Sequence, residues 1–225
     1  MLGISVLVGL VVVAVPFVVL AAVVVVLVRR RTAFFRQRAY EAAQFGWFPA
    51  PPNPWLVQTA ENLWQNGKAG QMLAGEFRGR GVCLLDYTYT TVRSNGQQTT
   101  SSTHQVHLVA LNLPAALPPL TVTAESTLKR VFGGKDLELE SKAFNDAFRI
   151  ACADNRYASA VLHPRMMEWM LFNQGLEWQI AGNALVSWGI GPFTIPMTLA
   201  RLEAMSGVID RLPPFVLRDY GVPAY

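Results

Sequence analysis

Proton transfer, nucleophilic attack and metal binding draw on a short list of side chains, and this 225-residue chain carries few of them in suggestive patterns. Asp86 lies in the run VCLLDYTYTTVRS, and His107 lies in QQTTSSTHQVHLVALNL. Between the runs stands Asn95-Gly96, a dipeptide that favours a tight β-hairpin turn. If those two residues are the turn, Cys83 faces Leu108, Leu85 faces Val106, and Tyr87 faces His104. Asp86 then faces Gln105, and His107 sits diagonally from Asp86 on the same face. A carboxylate and an imidazole so placed can pass a proton. The plainer reading is a polar contact that pins the hairpin, because no nucleophile or metal set accompanies the pair. Asp86 and His107 are the catalytic candidates on this reading, and a pocket around Asp86, Tyr87, His104 or His107 is where a small ligand would bind.

Other chemistry finds less support. His104 and His107 point to opposite faces of a regular strand, so they do not share a metal ion. His163 precedes Pro164 and has no histidine one helical turn away. With no His-Glu-x-x-His and no Cys-x-x-Cys, the expected metal and cofactor complement is none. Ser126 and Lys129 make a Ser-x-x-Lys without the other motifs of that chemistry, and Ser126 reads as the cap of a short helix. The glycines of GEFRGRG lack the Lys-Ser/Thr of a phosphate loop, so Glu76, Arg78 and Arg80 read as turn and edge-strand charges. Asp136, Glu138, Glu140 and Asp146 do not follow calcium-loop spacing. Cys83 and Cys152 read as buried thiols of a reducing compartment. The six tryptophans are scattered and read as core and interface residues.

The elements that must hold these residues begin with an apolar run. From Ile4 to Val28 there is no charge, and 13 of the 25 residues are valine. As a helix this run is about 37 Å long, more than the ~30 Å hydrocarbon core of a bilayer. Lipid forces an isolated segment to satisfy its own backbone hydrogen bonds, so a helix is expected despite the β-branching and Pro16. The run is too long for a signal peptide, and it ends in Val-Arg-Arg-Arg rather than at a small-residue cleavage site. Residues 1–28 are therefore expected to be one transmembrane anchor. Arg29, Arg30, Arg31, Arg36 and Arg38 follow it, and no basic residue precedes it. Positive residues stay inside, so the N-terminus faces out and the domain faces the cytoplasm at the plasma membrane.

Those five arginines, offset by Glu41, account for the whole net charge of +4; beyond residue 41 basic and acidic residues cancel. The domain lacks the basic face that nucleic acid requires. Residues 29–54 read as a juxtamembrane helix and a stiff Pro-rich linker. In that helix Arg29, Arg30, Arg31, Arg36, Arg38, Phe34 and Phe35 meet the bilayer surface.

Residues 55–225 read as one α+β domain with a mainly antiparallel sheet and packed helices. LVQTAENLWQNGKAG is expected to be a short helix ending at Gly67 or Gly70. After a Pro-rich link, LTVTAE, DLELES and AFRIACA read as strands, and RYASAVL and PRMMEWMLFN as helices. LEWQIA and ALVSWGI read as a second hairpin about Gly182-Asn183, and 196–211 as the last helix.

The stretch FNDAFRIACADNRYASAVLHPRMMEWM, from Phe144 to Met170, with LDYTY and LPPLTVTAES, resembles a group of actinobacterial membrane-anchored proteins of unknown function. They share an N-terminal span, a basic collar, a Phe-Asn-x-x-Phe strand and a His-Pro-Arg-Met-Met-like helix. The resemblance covers residues 80–215. It implies a bacterial plasma membrane and this general architecture, and it gives His163, Pro164 and Arg165 no role.

Together these readings point away from an enzyme. They describe an interaction or scaffold module held at the inner face of the membrane, with the lipid bilayer and a membrane or cytoplasmic protein as partners.

Overall fold

Antiparallel strands with apolar residues on both faces need a cover on each side, and the chain supplies helices for both. A computed structural model describes residues 2–96, 98–124 and 139–222, with the backbone alone for residues 2–17. In chain order the elements are α1 (Leu2–Ala43), β1 (Phe48–Ala50), α2 (Pro54–Leu63), β2 (Gly67–Phe77), β3 (Arg80–Ser94) and β4 (Thr99–Ala124). There follow α3 (Lys142–Ala147), β5 (Phe148–Cys152), α4 (Asn155–Val161), α5 (Pro164–Phe172), β6 (Trp178–Ile190), α6 (Ile195–Ile209) and α7 (Pro214–Asp219). The expected α+β class with an antiparallel sheet is what forms.

Among the described residues all strand pairings are antiparallel, in a six-stranded sheet. Strand β4 is its spine. One edge of β4 pairs with β3 along its first half and with β5 near its end; β6 runs along the other edge. One sheet face carries Leu73, Val82, Leu84, Val109 and Leu111, packed with Met166, Met170, Leu202 and Met205 of α5 and α6. The opposite face carries Leu85, Tyr87, Leu108 and Val186, covered by Leu56, Ala60 and Leu63 of α2.

The β3–β4 hairpin forms with the expected faces but a different register. Asp86 pairs with His107, and Tyr87 with Val106, a shift of two residues from a two-residue turn. The cause is a wider loop: the Asn95 side chain accepts from the Gln98 N–H at 2.8 Å. A shift of two preserves side-chain parity, so the apolar faces survive while every opposite partner changes. The hairpin tip projects into solvent as expected, with Val92 65% exposed.

Several elements differ from their sequence reading. Helix α2 ends at Leu63, and Gly67 and Gly70 lie in β2. The tight turn comes later, at Arg78-Gly79, where both φ angles are positive as a two-residue hairpin requires. The Pro-rich stretch 114–119 belongs to β4, where pairing with β6 is irregular and tolerates residues without an N–H. LEWQIA and ALVSWGI are not a hairpin but one strand, β6, because both halves pair with β4. Gly182, at φ 60°, is a bend in that strand. Residues 125–138, with the Ser126 cap, Asp136, Glu138 and the first half of DLELES, lie outside the described residues.

The region expected as a linker is built into the domain. Trp47 is buried, β1 pairs with β2, and Asn53 caps α2 by accepting from the Trp55 N–H at 3.0 Å. Pro49 is tolerated because β1 is a sheet edge. Helix α1 runs unbroken into this region. Among the described residues no helix is long and apolar enough to cross a membrane. More than half of the run 4–28 falls on residues 4–17, whose side chains are not described.

Candidate functional site

The sequence candidates meet where α1 crosses the sheet. Phe34, Phe35, Arg38 and Ala42 follow one another at helical spacing, which places them along one side of α1. Arg38 and Ala42 are buried. Arg38 is thus not a headgroup residue, as its position in the basic collar led one to expect. Its Nη2 pairs with Asp86 Oδ2, its Nε donates to Gln71 Oε1 at 3.1 Å, and its Nη1 donates to the Phe193 carbonyl at 3.0 Å. The guanidinium also lies over the Phe193 ring, 3.7 Å from its centroid. The second oxygen of Asp86 accepts from the Phe193 N–H at 3.2 Å. A buried charge is costly unless paired and hydrogen-bonded, and here both members are.

His107 stands directly opposite Asp86 and turns to another partner. Its Nδ1 lies 2.9 Å from the Gly191 carbonyl. A carbonyl only accepts, so Nδ1 carries the proton and Nε2 does not. Nε2 is buried without a hydrogen-bond partner among the described residues. Burial, above all, holds the imidazole below its usual pKa and keeps it neutral; the Gly191 carbonyl opposes this, and Arg201 adds to it. Asp86 and His107 are therefore brought together on the sheet, yet each side chain is hydrogen-bonded elsewhere.

Beside the Arg38–Asp86 pair a half-open groove of about 590 Å³ separates α1 from the sheet. Arg31, Phe34 and Phe35 form its helical wall, and Thr88, Gln105 and Pro192 part of the opposite one. Arg29, Arg30 and Arg36 are exposed on α1, Phe34 is 42% exposed, and Phe35 is half-buried.

A second polar constellation was not legible in the sequence. The Glu177 carboxylate accepts from the Ala124 N–H and from Trp188 Nε1, both at 2.9 Å. Its carbonyl accepts from Ser187 Oγ at 2.6 Å, and Ser187 Oγ accepts from Arg201 Nη1 at 2.8 Å. Residues ten apart in sequence meet here because β6 bends sharply between them. Trp188 and Trp64 also border a cleft of about 760 Å³. In it Trp64 stacks on Tyr89, and Tyr89 on His104.

The remaining candidates are spread out. His104 Nε2 lies 3.0 Å from Thr91 Oγ1, and His163 donates to the Arg211 carbonyl at 3.0 Å. Cys83 and Cys152 are free and half-buried, and burial pushes both thiols up. Among the described residues no group of three or more His, Cys, Asp or Glu side chains is placed to hold a metal ion.

These features define an α+β domain that receives the end of a long helix through a buried ion pair. No family model matches the chain, and no curated protein matches it. Among solved structures, the mycobacterial trehalose monomycolate transport factor A, TtfA, is similar, with a TM-score of 0.59 over 84% of this chain and 97% of that one. The two are 12% identical, so the likeness is one of fold.

Proposed function

We propose that this chain is a membrane-anchored accessory module whose domain lies on the cytoplasmic side of a plasma membrane and engages a membrane or cytoplasmic protein. The observation that carries the reading is the surface of α1. From Val18 to Val28 nine large apolar side chains are each 48–67% exposed. A continuous apolar surface of that kind is rare in water and ordinary in lipid. Together with residues 4–17 it makes an uncharged run of 25 residues followed by arginines, which supports a single span with the N-terminus outside. The resemblance to actinobacterial membrane-anchored proteins fits the same reading.

The structural neighbour is named a transport factor, which supports an accessory role beside a membrane protein without specifying the partner. The Arg38–Asp86 pair fixes the end of α1 to the sheet, so the domain is held close to the bilayer rather than hung from a linker. A small-ligand reading has one specific observation behind it, the groove lined by Asp86.

The test is purification of the full chain from its native membranes in a mild detergent. A membrane protein recovered in fixed ratio, and lost when the hairpin or cleft surface is altered, is the expected result. Recovery of the chain alone from every detergent would overturn the accessory role.

A further inference from the structure

We infer that the groove between α1 and the sheet binds the phosphate headgroup and upper chain of an anionic phospholipid, taken from the bilayer that holds α1. The inference rests on the membrane-anchored reading and names a ligand for it. The groove's volume of about 590 Å³ falls within the usual range of ligand pockets, about 300–1,000 Å³. Its walls are of two kinds. Phe34, Phe35 and Pro192 offer apolar surface, while Thr88 and Gln105 offer hydrogen-bonding groups. That mixture suits a molecule with a polar head and an apolar chain.

Charge decides the class of head. Asp86 lines the groove, but its carboxylate is matched by Arg38. Among the described residues Arg31 is left as the unmatched charge, its guanidinium lying 5.5 Å from the centroid of the Phe35 ring. A single uncompensated guanidinium at the mouth favours a monoanionic phosphate, which arginine binds through paired N–H donors. Position favours a lipid over a soluble phosphate. Arg31 lies three residues past Val28, about 4.5 Å along the helix axis, so the mouth opens where the apolar run ends. A lipid enters sideways from the bilayer without leaving it.

The experiment uses the full chain in nanodiscs of equal phosphatidylcholine and phosphatidylglycerol, followed by native mass spectrometry of the released protein. We expect one retained phosphatidylglycerol, favoured over phosphatidylcholine about tenfold, which corresponds to ~1.4 kcal/mol. Arg31→Gln should bring the ratio near one, and Thr88→Trp, which fills the groove, should remove the bound lipid. Arg93→Gln at the hairpin tip should change neither. Equal retention of the two lipids, or a preference untouched by Arg31→Gln and Thr88→Trp, overturns the inference. Displacement of the lipid by millimolar inorganic phosphate would show that the site takes free phosphate and would overturn the lipid source. A chain that fails to enter nanodiscs would refute the membrane reading itself, a result separable from all of these.

Discussion

Arg38 of α1 and Asp86 of β3, 48 residues apart in sequence, form a buried ion pair that fastens the long helix to the sheet. Removing one partner leaves the other charge buried, and such losses run to about 3–5 kcal/mol. Arg38→Met is therefore expected to lower unfolding stability by that order, and Asp86→Asn by somewhat less, since the amide oxygen still accepts from the Phe193 N–H. A double-mutant cycle by urea denaturation should show strong coupling between the two positions. Additive losses would mean that the pair does not act as a unit.

Glu177 is expected to be a structural clasp. Glu177→Ala removes the acceptors for the Ala124 N–H and Trp188 Nε1. Each donor left unsatisfied costs about 1–3 kcal/mol. Urea denaturation should register the loss, and tryptophan emission should shift as Trp188 loosens. An unchanged midpoint would show that the bend in β6 holds without it.

How much of this was legible in the sequence depended on whether a cue was local. The β3–β4 hairpin was readable because Asn95-Gly96 and the apolar pattern around Leu84 and Leu85 act over short range. Its register was not, because one hydrogen bond from Gln98 N–H to Asn95 widens the loop. Gly182-Asn183 carried the same turn signal as a hairpin, since a bend and a turn both need a positive φ. Only pairing to a remote strand, β4, distinguishes them. Arg38 read as one more arginine in a basic collar, and what sets it apart, Asp86 and Phe193, lies far along the chain. The spacing of Phe34, Phe35, Arg38 and Ala42 was the one local hint of a face turned inward.

His107 predicts a pH dependence with a definite sign. Its pKa is lowered in the folded state, foremost by burial. The unfolded chain then binds more protons once the pH drops below the ordinary histidine value near ~6.5. Stability should thus be full above that value and fall as the pH is lowered, by at most about 1.4 kcal/mol per pH unit from this one group. Urea midpoints measured on either side of that value should flatten in His107→Gln. A slope unchanged by the substitution would assign the effect to other groups.

Anchorage by the apolar part of α1 underlies the proposed function, and carbonate extraction tests it most directly. Membranes from cells making the full chain are washed at alkaline pH, which releases proteins held by surface charge, and then floated. The chain is expected to stay with the floated membranes as an integral protein does. Its quantitative release into the wash would contradict a membrane-spanning α1 and the accessory role built on it.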